Sequence, residues 1–283
     1  QIMEVFKRLG ITVKRTYCLT LNNGIHPYFL GTFYVRTEDE GLVERNSVLF
    51  ERLKNELYNT QVLQTASLAY KDLTTNSILT GEEATLVNAF ISFCHSNLAH
   101  HQTNDFGFDF EGVERAFISH PDIALQLIDL FKARFDPSIS DRKQVFAKTL
   151  EKTQRAIEGF NTGRKSLDEF RSMIFRCCLT FICHSLKTNF YVPEKDALAF
   201  RMDPSYLEKL GAEFISNLPA DRPFRITFFF GRYGSGYHIG FSDIARGGWR
   251  TIITKGRDDY VVNANTLFRE CYVLAHTQHL KNK

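Results

Sequence analysis

The 283-residue sequence predicts a multidomain chain of mixed α+β and α/β class in three parts. These are an α+β module over residues 1–60, a helical region over 61–190, and the start of an α/β domain over 191–283. Three observations lead there. Two β-branched runs lie between amphipathic segments near the N-terminus, helical periodicity dominates the middle, and strand-like runs punctuated by glycine and proline follow residue 190.

In the first part, "IMEVFKRLG" carries apolar residues at 2, 5, 6 and 9, and Gly10 suits a helix C-terminal stop. "ITVKRTYCLTL" (11–21) is β-branched and partly alternating, "NNGIHP" supplies turn chemistry, and "YFLGTFYV" (28–35) reads as the pairing strand. "LVERNSVLFERLKNELYN" (42–59) places Val43, Val48, Leu49, Leu53 and Leu57 at roughly helical spacing. Helix, strand, strand, helix is compatible with a ferredoxin-like sandwich whose first strand lies upstream.

In the middle, Thr80 and Glu83 form a capping box, followed on one face by Leu86, Phe90, Ile91, Cys94 and Leu98. Residues 113–137 read as two helices broken at His120-Pro121, because proline disfavours helix in the residue before it. "SDRKQ" (140–144) separates them from the next helix. Ser166 and Glu169 predict a further cap, ahead of a buried stripe of Phe170, Ile174, Cys177 and Phe181. Past residue 190, Pro193 and Pro204 punctuate short segments, "RITFFF" (225–230) reads as a central strand, and "GRYGSGYHIGFSDIARGGW" is glycine-rich. The last segment, 264–283, reads as a helix with Asn263 or Asn265 as N-cap.

Composition excludes several function classes. A net charge of +3 argues against nucleic acid or an acidic membrane surface as partner. No apolar run approaches the roughly 20 residues of a membrane span. The first residue is Gln1 and no signal-peptide pattern follows, so the chain reads as excised from a longer cytoplasmic protein. The six cysteines form no C-x-x-C pair, which predicts a reducing environment without disulfides.

Few motifs carry chemistry. "GRYGSG" (231–236) lacks both the G-x-G-x-x-G order and the terminal G-K-[ST] of a P-loop, and reads as a turn or bulge between strands. "ARGGWR" (245–250) couples close backbone approach with two guanidinium groups, suiting an anionic partner; the alternative is a hairpin or bulge with surface arginines. Leu267, Leu274 and Lys281 follow a seven-residue step, which puts the lysine near an apolar face where it can receive a carboxylate or simply snorkel. "CHSNLAHH" (94–101) sets Cys94 and His101 on one helical face, but a structural zinc site needs four ligands and no second cluster matches, so no metal is expected. There is no G-x-S-x-G elbow, and Asp258-Asp259 and Glu82-Glu83 point apart on regular elements.

Four ordered stretches together resemble the large NAD-dependent glutamate dehydrogenases of bacteria and fungi. They are "HPDIALQLIDLFKARFDP" (120–137), "KTNFY" (187–191) with "ALAFRMDP" (197–204), "GYHIGFSDIARGGWR" (236–250) and "LAHTQHLKN" (274–282). The resemblance implies an ACT-like N-terminal module and, from residue 191, the start of a glutamate-dehydrogenase-type substrate domain. Arg246, Gly247, Gly248 and Lys281 would then hold the carboxylates of L-glutamate or 2-oxoglutarate. It further implies that NAD and the catalytic lysine are supplied by parts absent from this chain, so that residues 1–283 alone are inactive. A homo-oligomer and an amino-acid effector are also implied. Two positions depart from the pattern: "TIITKGRDD" replaces the bacterial Trp-Ser-Asp-Arg, as in the fungal branch, and Trp249 stands where an aliphatic residue is usual. The alternative is a regulatory or oligomerisation module that binds an amino-acid effector without catalysis.

Overall fold

The structure is a computed structural model. It describes residues 2–22, 24, 27–45, 47–62, 79–99, 107–193, 195–211, 215, 218–231, 234–241, 248–253 and 260–281. The chain divides into two compact units, Gln1–Ala84 and Thr85–Lys283.

The first unit follows the order its apolar spacing predicts. Helix α1 (Ile2–Arg8) stops at Gly10, whose φ of 66° lies in the left-handed region that glycine occupies without a Cβ clash. Strands β1 (Ile11–Asn22) and β2 (Pro27–Thr37) pair antiparallel from Ile11↔Thr37 to Asn22↔Pro27, with one bulge between Val13 and Arg15. Helix α2 (Val48–Val62) begins after Ser47, whose Oγ accepts the Phe50 amide at 3.1 Å. Val5, Phe6, Ile11 and Leu53 form the core, with Leu49, Leu57, Phe33 and Val35 packed on it. Val48 does not join them: it is the first residue of α2 and lies exposed on its outer side. Among the described residues this unit's sheet has two strands.

The boundary between units falls inside α3 (Gly81–Leu98). Its capping box forms as read: the Thr80 amide donates to Glu83 Oε2 at 2.8 Å and the Glu83 amide donates to Thr80 Oγ1 at 3.2 Å. A second N-terminal amide, Gly81, donates to the buried Glu56 carboxylate at 2.8 Å.

In the second unit α4 (Phe110–Ser119) and α5 (Pro121–Phe135) break at His120, where Pro121 opens the new helix. Helix α6 (Arg142–Glu158) is capped by Asp141 from within "SDRKQ". Helix α7 (Lys165–His184) buries Phe170, Ile174, Cys177 and Phe181. Its start corrects the expected Ser166–Glu169 box. Ser166 already lies inside the helix, and Asp168 accepts from the Thr162 hydroxyl at 2.5 Å, the Thr162 amide at 2.7 Å and the Arg164 amide at 3.3 Å. A carboxylate that reaches back over the preceding loop satisfies three donors, where a serine one turn in would satisfy one.

These hydrogen bonds, the Thr162 hydroxyl first, hold the Asp168 carboxyl below its ordinary value of 3.8. A depressed folded-state value adds stability above the unfolded pKa and loses it as pH falls through the folded one. Asp168→Ala is therefore expected to lower the urea midpoint at pH 7. The gap to wild type should close as the solution is acidified past the depressed value. An equal gap at pH 7 and pH 2 would show that the charge is not what matters.

Next come β3 (Ser185–Thr188), β4 (Ala197–Met202), the short α8 (Tyr206–Lys209), β5 (Arg225–Gly231), β6 (Gly234–Gly240), β7 (Gly248–Ile253) and α9 (Tyr260–Leu280). The strands form one sheet in the order β3-β4-β5-β6-β7, every pair antiparallel, with "RITFFF" at its centre as read. Among the described residues the mixture is therefore α+β; the parallel crossover that an α/β class requires does not occur. The connection from β5 to β6 is too short for one. The inner face of the sheet, Leu198, Phe200, Met202, Ile226, Phe228 and Phe230, packs against phenylalanines of the helices: Phe93 lies 5.4 Å and Phe181 6.0 Å from Phe228, ring centre to ring centre. This is where the excess of phenylalanine goes.

Residues Cys94 to Leu98 of the histidine–cysteine stretch are buried. Cys94 Sγ lies 3.6 Å from the Ile174 carbonyl, and burial pushes the thiols of Cys94, Cys177 and Cys178 up, which keeps them protonated and unreactive. His95 is buried edge-on to Phe110, and burial lowers its pKa to about 4 against the opposing charge of Asp109. His101 lies outside the described residues.

Candidate functional site

The glycine–arginine loop is the connection between β6 and β7. Strand β6 ends at Gly240, and β7 begins at Gly248, the partner of Ile239. Arg246 and Gly247 lie outside the described residues; Gly248 opens β7 and Lys281 follows the last turn of α9.

What the structure supplies is the stem of that loop. Phe241, the last described residue before it, is enclosed by the end of α9: its ring lies 5.1 Å from Tyr272, 5.3 Å from His276 and 5.7 Å from His279, stacked on the last. Helix α9 is itself tied down. His276 Nε2 lies 3.1 Å and His279 Nε2 3.8 Å from Asp221 Oδ2, and the Tyr272 hydroxyl donates to the Asp221 carbonyl at 2.6 Å. Further up the helix, Phe268 packs on Tyr237 of β6 at 5.1 Å, and the Cys271 thiol donates to the Tyr237 carbonyl at 3.4 Å. Tyr237 is fully buried; Asn97 donates to its hydroxyl at 2.7 Å and the Ser96 hydroxyl lies 2.6 Å from it. The entry to the glycine loop and the tip of α9 are thus held side by side by aromatic packing.

Two expectations on α9 are corrected. The helix starts at Tyr260, so Asn263 and Asn265 lie within it and neither is its N-cap. Its buried face is Phe268, Cys271, Tyr272 and Ala275, whereas Leu274 is 46% exposed. Lys281, seven residues beyond Leu274, therefore shares the open side and is exposed. The aromatic residues decide the facing, because they are what meets Tyr237 and Phe241. Lys281 keeps its amide bonded to the Thr277 carbonyl at 3.1 Å, which places its backbone in the last turn of the helix, a position where a cation is favoured. The clamp residues Asp221, Phe241, Tyr272, His276 and His279 were not singled out from the sequence; the three-residue step from His276 to His279 is the signal that could have found the histidines.

The other glycine-rich stretch is a hairpin neck. Gly231 pairs with Gly234 across antiparallel β5 and β6. A dinucleotide pyrophosphate needs a turn from a strand into a helix N-terminus, and this turn leads into another strand. The Gly231–Gly234 stretch therefore does not form a pyrophosphate-binding turn of that kind. Among the described residues no group of His, Cys, Asp or Glu is arranged to hold a metal ion, and no helix is long and apolar enough to cross a membrane.

Residues 161–282, which contain Asp221, Tyr237, Phe241 and the α9 residues packed on them, match the family model of the bacterial NAD-glutamate dehydrogenase catalytic domain. The chain is 36% identical over 173 residues to glutamate dehydrogenase 2 of Dictyostelium discoideum, covering 60% of this chain and 16% of that protein. It is 42% identical over 98 residues to the NAD-specific glutamate dehydrogenase of Saccharomyces cerevisiae, covering 35% of this chain and 8% of the relative. With the NAD-specific glutamate dehydrogenase of Pseudomonas aeruginosa the identity is 27% over 267 residues, 88% of this chain and 15% of the relative. The chain thus spans less than a fifth of the length of these relatives.

Proposed function

We propose, from the premise that this chain belongs to the large NAD-dependent glutamate dehydrogenase family, that it supplies the substrate-carboxylate side of an oxidative deamination of L-glutamate to 2-oxoglutarate and ammonia. The observation that carries this reading is the packing of Phe241 on the end of α9, which ties the stem of the Arg246-Gly247-Gly248 loop to the turns that precede Lys281. In this reading the glycines let the backbone approach a carboxylate, Arg246 offers it a planar pair of N–H donors, and Lys281 takes the second carboxylate. The α9 carbonyls repel an anion, so the ammonium must be present for the helix tip to attract one.

NAD supplies the hydride acceptor in such a reaction, and no residue of 1–283 is assigned to it. The proposal divides the protein into the ACT-like module 1–60, the helical region 61–190 and the substrate-domain start 191–283, and expects residues 1–283 to bind substrate without turning it over. Calorimetry or NMR titration of the purified chain with 2-oxoglutarate and L-glutamate is the test. Saturable binding that shifts the resonances of residues 236–253 and 274–281 is expected; binding confined to residues 1–60 would transfer the function to the other reading.

That second reading, regulation by an amino-acid effector, has its own support. A cavity of about 340 Å³ in the first unit is lined by Met3, Phe6, Lys7, Gly10, Ile11, Thr12, Val13 and Glu38. A lining that combines apolar side chains with Lys7 and Glu38 suits a zwitterion with an apolar side chain.

A further inference from the structure

The outer face of the second unit's sheet, turned away from α9 and the phenylalanine core, gathers basic side chains. Side chains alternate along a strand, so the residues that flank the buried Phe200, Phe228 and Tyr237 share the other face. The register lines them up in one row across four strands: Lys187↔Arg201, Arg201↔Thr227 and Thr227↔His238. Arg225, two residues before Thr227, stands diagonally next to both Arg201 and His238. Three basic residues therefore surround Thr227, all of them half-buried, and the exposed Lys187 extends the row onto the edge strand β3.

For the chain alone this arrangement is unfavourable. Lys187 and Arg201 are like charges set directly opposite, which destabilises a strand pair. Burial and then Arg225 lower the Arg201 pKa, and burial, then Arg225 and Arg201, lower that of His238, so the three groups act on one another. Among the described residues neither Lys187 nor Arg201 is paired with a carboxylate. Asp203, two residues past Arg201, accepts instead from the Ser205 amide at 3.0 Å. Gly240, the partner of Arg225, is what lets that guanidinium lie over the sheet: a Cβ there would fall 2.8 Å from Nε and 3.2 Å from the central carbon. Beyond Thr227 on the same face, Phe229 has Ala199 on one side and Gly236 on the other, so an apolar shelf of little bulk borders the basic row.

We propose that this face binds a phosphate monoester whose organic part is apolar or aromatic. The phosphate sits over Thr227, where Arg201 and Arg225 offer it paired N–H donors and the threonine hydroxyl a further one. Two guanidinium groups match a phosphate dianion; a single carboxylate would leave one of them uncompensated. With strands about 4.8 Å apart, the backbones of Arg201 and His238 are about 10 Å from each other, a gap that long basic side chains close around one anion. The organic part lies over Phe229, in the room that Gly236 leaves open. The carboxylate loop proposed above is tied to α9, which packs on the sheet's opposite face through Tyr237 and Phe241, so the two readings fail separately.

Phenyl phosphate is the probe, titrated into the 283-residue chain at fixed ionic strength and followed by calorimetry and NMR. A dissociation constant of about 1 mM or below is expected. Resonance shifts should centre on residues 199–201, 225–229 and 236–240, and an excess of 2-oxoglutarate should not reverse them. Inorganic phosphate should bind about 10-fold more weakly, because it forgoes the contact with Phe229. Arg201→Gln should weaken phenyl phosphate by about 10–100-fold, whereas Phe229→Ala should weaken phenyl phosphate and leave inorganic phosphate unchanged. Lys187→Gln relieves the like-charge pair, so the urea midpoint of the free chain should hold or rise while affinity falls, a combination that misfolding does not produce. The proposal is overturned by a wild type that shows no saturation at ~10 mM phenyl phosphate. Equal affinities for phenyl and inorganic phosphate, shifts that centre elsewhere, displacement by 2-oxoglutarate, or an Arg201→Gln variant that binds as wild type does would each overturn it as well.

Discussion

Replacing Phe181 by alanine is expected to remove about 3–5 kcal/mol of unfolding free energy from the second unit. Phe181 is fully buried, and its ring centre lies 4.4 Å from Phe93, 4.9 Å from Phe200, 5.7 Å from Phe90 and 6.0 Å from Phe228. It is the point at which α3, α7 and the inner face of the sheet meet. Truncation leaves a ring-sized void that aromatic neighbours, locked against one another, cannot close. A domain of ordinary stability, about 5–15 kcal/mol, would lose roughly a fifth of it or more. Urea unfolding followed by far-UV circular dichroism is the measurement. The control is Val145→Ala on the open side of α6, where the side chain is 39% exposed and the change should stay within about 0.5 kcal/mol. A loss near that of the control would mean that the aromatic cluster is not what holds helices to sheet.

Arg246→Ala and Lys281→Ala are each expected to weaken 2-oxoglutarate binding by about 10–100-fold, the value of a charge-assisted hydrogen bond. The effect should be steepest at low salt and shrink as ionic strength rises, because Lys281 is exposed. Lys281→Gln keeps the stem and removes the charge; if it binds as wild type does, the carboxylate role of Lys281 is wrong. Phe241→Ala tests the other half of the arrangement. It leaves both cations in place and removes the packing on Tyr272, His276 and His279, so its loss should be smaller and independent of salt. Equal salt slopes for Phe241→Ala and wild type, with weaker binding, are the signature of a positioning residue.

Where local chemistry was sufficient, the sequence determined the outcome. Thr80 and Glu83 need only each other, Pro121 needs only its missing N–H, and Gly10 needs only its missing Cβ, so each boundary was legible without a fold. The apolar run in "RITFFF" likewise announced a central strand, and four ordered stretches announced the resemblance to the large NAD-dependent glutamate dehydrogenases. Tertiary structure alone decided which donors and faces prevailed. Asp168 holds the loop before α7 because that loop folds back from Thr162 over it, and the face of α9 is set by Tyr237 and Phe241, residues more than 25 positions away in the chain, rather than by Leu274. The stack of Phe241 on His279 is of the same kind. Periodicity reports how a helix divides into sides, but which side is buried depends on what the rest of the chain brings against it, and that is a long-range property.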